Sequence, residues 1–442
     1  MSDIIIIGAG AAGLMAARQL GREGKQVFLI EARERIGGRI HTFHPPDFAL
    51  PLELGAEFVH GDLTETMRCL DEYGIPYAQQ EGQAWQVRDE GLEKDKEMID
   101  QHRGKLRKEL DALKQDMSIE QFLDTHFAGR EYAELRQEVR RFVQGYDAAD
   151  PARCSTFSFR DEWSDVEKWE QYRIEGGYER LVHALQEESA QLGSILHLDT
   201  MVKTIRWKKG EVTAITQDER KFQAPKLLLT VPLGVWQAAC GSKSELCFEP
   251  ALPEKTAAAA QLGYGCVIKI HLQFSEAFWK NEDVKDRLGR KLDDLGFIFS
   301  EEAVPTWWTQ GPDAPPLLCG WLSGPPAQAL SGAHDLLFLD LALTSLTAIF
   351  KENKSALRDR LQAWKISDWG ADPFARGAYS YATVNADQHI ETLRKNVEET
   401  LFFAGEALDN EAGTGTVEAA LRSGRKTAEE ILATYKVKSE AR

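Results

Sequence analysis

The sequence is short of the features that mark several protein classes. Its six cysteines, Cys69, Cys154, Cys240, Cys247, Cys266 and Cys319, are scattered through 442 residues. None forms a CxxC pair and none clusters with histidines at zinc spacing, which argues against a metal site or a disulfide framework. Scattered thiols in a large chain fit a reducing compartment. No uncharged apolar stretch reaches the ~18 residues that span a bilayer. Met1-Ser2-Asp3 leads straight into an apolar run without a basic segment or cleavage site, so no secretory leader is expected. The expectation is a cytoplasmic protein. GxSxG, a Walker lysine and HExxH are all missing, as are internal repeats and low-complexity linkers. Basic residues are in the minority: 53 Lys and Arg stand against 70 Asp and Glu, a net charge of −17. That balance disfavours nucleic acid and anionic membranes as partners. It would suit a cationic substrate, but on charge alone the simpler reading is an acidic surface that keeps the protein in solution.

What is present begins at residue 4. Ile4-Ile5-Ile6-Ile7 reads as a strand buried on both faces, as in a parallel sheet. Gly8-Ala9-Gly10-Ala11-Ala12-Gly13 fits G-x-G-x-x-G, and Leu14 to Arg22 reads as a helix. Val27-Phe28-Leu29-Ile30 is a second strand, closed by Glu31. Gly8 permits the tight turn, Gly10 lets a pyrophosphate approach the backbone, and Gly13 lets helix and strand pack closely. The helix N-terminus offers N–H groups and partial positive charge to phosphates. Glu31 lies 18 residues beyond Gly13, near the ~20 expected of an acid that accepts from ribose hydroxyls. Alone, the unit says only "dinucleotide". The stretch Ala32-Arg33-Glu34-Arg35-Ile36-Gly37-Gly38-Arg39 adds three arginines, whose forks suit a longer pyrophosphate cofactor. It resembles the EARxRxGGR motif of FAD-dependent oxidases.

A chain this long is expected to form two or more domains. Leu50 to Gly61 reads as an apolar strand and turn. Residues 89–145 read as helical, with Leu106, Leu110 and Leu113 on one face. A helix is expected over 178–191, then strands at 195–198, 201–207, 211–216 and 226–231 that return to the cofactor-binding part. A long strand is expected over 262–274, short strands and loops over 276–330, and two helices over 335–364. A buried strand at 401–405 and a helix over 416–435 close the chain.

Several separated segments together resemble the flavin-dependent amine oxidases: monoamine oxidases, polyamine oxidases and the lysine-specific histone demethylases. Besides the first forty residues, Glu53 to Gly61 looks like the polyamine oxidase form, with His60 at its flavin-side histidine. Val267 to Phe274 with Phe278-Trp279 carries Lys269 at the spacing of the family's lysine, which holds a water against the reactive flavin nitrogen. On its pattern alone, Lys269 reads as a lysine on the solvated face of a strand. Trp369 to Tyr381, Ala404-Gly405-Glu406 and Gly415 to Ala420 look like the family's closing segments, where a glutamate binds the cofactor and a helix N-terminus faces the flavin. Two departures stand out. Ala378 occupies the position of the cysteine that monoamine oxidases join to FAD, which implies non-covalent binding. Tyr379 supplies one of their two cage tyrosines, but Thr416 stands at the second.

The resemblance implies an α/β fold: a Rossmann-type FAD-binding domain (1–75, 176–260, 395–442) interleaved with an α+β substrate-binding domain (76–175, 261–394). It implies oxidation of an amine C–N bond to an imine, with O2 reduced to hydrogen peroxide. Catalytic positions would be Lys269, Tyr379, Trp369, His60 and Thr416. Cofactor-binding positions would be Gly8, Gly10, Ala12, Gly13, Glu31, Ala32, Arg33, Gly38, Arg39, Gly55, Ala56, Glu57, Val202, Trp369, Gly405, Glu406, Thr416 and Val417. Asp161 to Glu170 mixes acids and tryptophans and fits either a polyamine entrance or a solvated loop. An L-amino acid oxidase is the second reading; the 57–61 turn offers no arginine for a carboxylate, though Arg160 and Arg376 leave that open. A desaturase or isomerase and a non-catalytic flavin-binding protein are further alternatives. Monomer and homodimer are both open.

Overall fold

Four consecutive isoleucines, Ile4–Ile7, form a strand because each is removed from water, with exposures of 0, 0, 0 and 6%. In the computed structural model, which describes residues 2–61, 63–88, 91–94, 102–165, 170–238, 245–409, 411 and 414–440, that strand is the centre of a five-stranded parallel sheet. The order across it is 195–197, 27–30, 4–7, 227–229, 401–403. Helix Ala11–Arg22 lies on one face and buries Leu14, Met15 and Leu20. Helices Glu179–Gln191 and Val417–Glu440 join it there, bringing Leu181, Leu185, Leu421 and Ile431 into the same core. Burying side chains of this size contributes roughly 1.5–3 kcal/mol each. Strands 221–224, 211–216, 202–208 and 247–249 make a separate sheet.

The second large sheet has seven strands in the order 361–368, 267–274, 317–323, 306–309, 295–299, 83–88, 91–94. Ile268, Ile270, Leu272 and Phe274 share a core with Phe338, Leu343 and Leu346 of helix Asp335–Phe350. The opposite face of that strand is not solvated, contrary to its sequence pattern: Lys269, His271 and Gln273 are 1, 1 and 8% exposed. The segment 49–57 covers them, with Ala49 N–H donating to the Gln273 side chain at 2.7 Å. Helices Arg103–Ala112, Ile119–His126, Ala133–Gly145 and Thr156–Asp165 gather around Phe122, Phe142 and Phe159. Leu106 and Leu110 are buried there, but the helix stops before Leu113.

Three segment boundaries differ from the sequence pattern. Residues 276–330 supply the short strands expected there, three of them in the seven-stranded sheet, but also the helices Glu282–Leu288 and Gly324–Leu330, which were not expected. The second helix of the 335–364 segment ends at Arg360, and Leu361–Asp368 is a strand along the edge of 267–274. Tertiary pairing overrides helix propensity there. The expected strand 262–274 is two strands: 263–264 pairs with 380–381, and 267–274 joins the large sheet. Val166 to Trp169 and Cys240 lie outside the described residues. Among the described residues no helix is long and apolar enough to cross a membrane.

The strand-to-helix turn has no room for a side chain at Gly13, where a Cβ would stand 1.9 Å from the Gly8 carbonyl oxygen. Gly13→Ala is expected to destabilise the chain by about 1–3 kcal/mol through overpacking. Gly104→Ala, in helix Arg103–Ala112 with open space around it, is expected to be neutral or slightly stabilising. Thermal unfolding of the two variants beside the parent checks the contrast.

Candidate active site

A cavity of about 1990 Å³ runs from the carboxyl ends of the parallel strands to the seven-stranded sheet. Ordinary small-molecule pockets hold up to roughly 1,000 Å³, so there is room for a large cofactor together with a substrate. Every site residue expected from the sequence borders this cavity except Gly13, which packs between helix and strand.

At the sheet end the parts fit a dinucleotide. Helix Ala11–Arg22 starts at Gly10 with no side-chain cap, so its first N–H groups remain for an anion. A Cβ on Gly10 would meet nothing closer than 3.9 Å, so the backbone is open to an approaching group. Glu31 is buried and accepts from Ala9 N–H and Arg33 N–H, both at 2.9 Å, which holds the carboxylate at the turn. Ala32, Gly38, Ala56 and Val202 complete this wall.

The arginines that follow have protein partners. Arg33 forms a two-pronged pair with Asp372 at 2.8 and 2.6 Å, while still bordering the cavity. Arg35 donates to the carbonyls of Ile36, Gly38 and Ile40 and clasps its own turn. Arg39 donates to Ala378 O at 2.8 Å and to Glu406 Oε1 at 2.7 Å. Glu406 also accepts from Ser380 Oγ, fixing the 378–380 segment against the cavity. Gly405 leads into Glu406, and Thr416 caps helix Val417–Glu440 by accepting from Ala419 N–H at 3.2 Å. That places the helix N-terminus, with Val417, on the cavity wall.

Lys269 ends in a nest of acceptors. Its ammonium donates to Glu53 O at 2.6 Å, to Gly55 O at 3.2 Å and to the Glu57 carboxylate. Glu57 in turn accepts from Arg173 at 2.8 Å, Trp308 Nε1 at 3.0 Å and Gln310 Nε2 at 3.2 Å. Burial pushes the Glu57 carboxyl up, but Lys269 and Arg173 outweigh it and leave it at about 2. Trp369 Nε1 donates to Leu54 O at 2.7 Å and anchors the same turn.

Beyond Lys269 the cavity is walled by rings. Tyr379 stacks near Trp321, with centroids 6.5 Å apart at 20°, and donates its hydroxyl to Tyr146 O at 2.6 Å. Phe58, Phe297 and Trp308 pack together at 5.7–6.0 Å, and Phe299 continues the wall. His60 sits between Phe58 and Tyr146, and burial holds its imidazole down at about 4, so it is uncharged at neutral pH. Sequence reasoning missed most of these rings. The signal available was the alternation of Phe297 and Phe299 on one strand face.

Two carboxyl groups stand at this end: Glu162, from the acidic stretch that the sequence offered as a polyamine entrance, and Asp147, which no local pattern marks and sequence reasoning missed. They hydrogen-bond each other. Burial pushes both upward; the Glu162 charge and the shared hydrogen bond push Asp147 further up, while that bond lowers Glu162, which burial and the neighbouring Asp161 still leave at about 7. The second oxygen of Asp147 is enclosed without a hydrogen-bond partner. Neither Arg160 nor Arg376 borders the cavity; Arg160 instead pairs with Asp161 at 3.0 Å.

A carboxyl whose folded pKa is raised keeps its proton above the pH at which the unfolded chain has lost it. Stability therefore falls as pH rises through that window, by about 1.4 kcal/mol per pH unit for each retained proton. Asp147→Asn is expected to gain stability over the parent between pH 5 and pH 8, and to match it below pH 4. Thermal unfolding across that range checks this.

The sequence profile described as flavin containing amine oxidoreductase matches residues 11–432. A polyamine oxidase 4 of Oryza sativa subsp. japonica is 27% identical, over 97% of this chain and 88% of that protein. A lysine-specific histone demethylase 1 homolog 2 from the same organism is 28% identical over 98% of this chain, which spans only 57% of that relative. Among solved structures, putrescine oxidase bound to putrescine aligns with a TM-score of 0.77 at 22% identity, over 98% of this chain and 99% of its own. Cyclohexylamine oxidase from Brevibacterium oxydans IH-35A aligns with a TM-score of 0.78 at 20% identity over the same shares. Those structures bear on the fold, which they share throughout. With the profile matched over nearly its whole length, the chain belongs to the flavin containing amine oxidoreductases.

Proposed function

We propose that this chain oxidises a small amine that carries a second cationic centre, using FAD held without a covalent bond. The observation that carries the reading is the Asp147–Glu162 pair, a proton-sharing acid site at the ring-walled end of a cavity whose other end fits a dinucleotide. An ammonium group can take the place of the shared proton and relieve the repulsion of the two carboxylates. The relatives named polyamine oxidase and the neighbour bound to putrescine carry the same suggestion.

The glycine turn, Glu31, Val202 and the N-terminus of helix Val417–Glu440 would hold the cofactor. Ala378 in place of a cysteine supports non-covalent attachment. When bound, the flavin supplies the two-electron oxidation and passes the electrons to O2. The protein's own part is placement and charge. Trp321, Tyr379, Phe58 and Trp308 exclude water from the reacting amine, which lowers its proton affinity and favours the neutral form. Asp147 and Glu162 hold the distal ammonium and so fix which carbon faces the cofactor. Uncharged His60 adds a polar wall that does not repel either amine. Lys269 presents a fixed positive charge beside the flavin. In this reading segments 1–75, 176–260 and 395–442 serve the cofactor, and 76–175 and 261–394 the substrate. Cys69, Cys154, Cys266 and Cys319 carry thiols outside any disulfide, which supports a reducing, cytoplasmic setting.

Anaerobic bleaching of the flavin with a panel of amines tests the reading. Diamines and polyamines are expected to bleach it faster than monoamines of equal length. Asp147→Asn and Glu162→Gln should raise the diamine KM about 10-fold or more while leaving monoamines little changed. Equal responses to both classes would remove the second ammonium from the proposal. Lys269→Met should retain FAD but slow reduction or reoxidation by roughly 10²-fold; unchanged kinetics would remove its role.

A further inference from the structure

A lysine that is 1% exposed has lost its water shell. Its charge survives only if hydrogen bonds and a counter-charge replace that shell. Lys269 donates hydrogen bonds to the carbonyls of Glu53 and Gly55, but carbonyls balance no charge. The neighbouring ionisable groups divide clearly. Glu53 feels the charge of Lys269 but makes no side-chain hydrogen bond to it; its carboxyl accepts from Tyr178 N–H at 2.7 Å and Thr42 Oγ1 at 3.0 Å, and burial pushes it up to about 7, so it carries only part of a charge at neutral pH. His271, on the same strand face, is held uncharged by burial and by Lys269 itself. Cys319, paired with His271 across the sheet, is a thiol that burial keeps protonated. Arg173 is a second cation. That leaves Glu57 as the counter-charge.

Glu57 is itself rigidly held. Arg173, Trp308 Nε1 and Gln310 Nε2 converge on one of its oxygens, and Lys269 takes the other. The Arg173 guanidinium lies over the Phe58 ring, 4.6 Å from its centroid, so it cannot swing away without losing that contact. The carboxylate thus has a fixed direction before Lys269 reaches it.

We propose that Glu57 is a positioning residue for Lys269: its carboxylate, locked by Arg173, Trp308 and Gln310, keeps the buried ammonium charged and aimed along the cavity wall beside the flavin. The proposal rests on the reading that the flavin lies between the glycine turn and Lys269. It makes the charge felt by the cofactor a property of the pair. Without Glu57, a buried ammonium next to Arg173 sheds its proton as the pH rises.

The test uses the FAD-loaded protein and sulfite, whose affinity for bound flavin, read from bleaching of the visible band, reports positive charge near the ring. Glu57→Gln should lose at least 10-fold more sulfite affinity than the parent between pH 6 and pH 8.5. The extra loss should vanish in Glu57→Gln with Lys269→Met, measured against Lys269→Met alone. Glu57→Asp should restore most of the parent profile. Parallel profiles for Glu57→Gln and the parent would overturn the proposal, as would an extra loss that persists without Lys269. If neither Glu57→Gln nor Glu57→Asp retains FAD, Glu57 belongs to the cofactor's scaffold and the proposal falls. Sulfite needs no amine, so a parent protein that answers to sulfite but to no amine would overturn the substrate reading alone.

Discussion

A carboxylate out of water that must satisfy two cations fixes where three distant stretches of chain meet. Glu57, Arg173 and Lys269 come from a turn, a short strand and the second strand from one edge of the large sheet. Removing Glu57 leaves two cations without their counter-charge, at a cost of several kcal/mol, so the carboxylate ties the three stretches together. The same logic recurs at Arg39–Glu406 and Arg33–Asp372, which tie the stretch after the second parallel strand to segments more than 300 residues later. Ion pairs set the outline of the cavity; rings fill in its walls.

The two ends of that cavity are chemically opposed. At one end the backbone does the work: a helix N-terminus, open glycines and an acid held by amides. At the other, aromatic faces surround a pair of carboxyl groups that cannot both ionise cheaply. Lys269 stands between them. A long molecule with phosphates and a short one with ammonium groups would each be attracted to one end and repelled from the other. Orientation in the cavity is therefore an electrostatic matter before it is a steric one.

Local rules explain why the first forty residues could be read so fully. Strand, turn, helix and second strand each have a period or a glycine requirement visible within a dozen residues, and the Gly13 contact with Gly8 is as short-range as they are. Lys269 shows the opposite. Its strand alternates apolar and polar, which reads as one wet face; what dries that face is a segment more than 200 residues earlier. The family resemblance supplied what the pattern could not. Glu162 lay in an acidic stretch that could be read either way, Asp147 had neither a pattern nor a matched motif, and only the packing of the helical segment brings them together. Strand 361–368 was hidden for a related reason: its partner edge, not its composition, makes it extended.

The parallel sheet draws its strands from residues 4–7, 27–30, 195–197, 227–229 and 401–403, and Tyr435 near the end of the last helix donates to the carbonyl of Asp3 at 2.8 Å. Synthesis runs from the N-terminus, so the opening βαβ unit leaves the ribosome long before the strand and helix that complete it. The glycine turn must wait, partly uncovered, while some 370 residues are added. Cofactor loading is therefore a late event in the life of each chain, and the interval before it is when the isoleucine strand most needs protection from other chains.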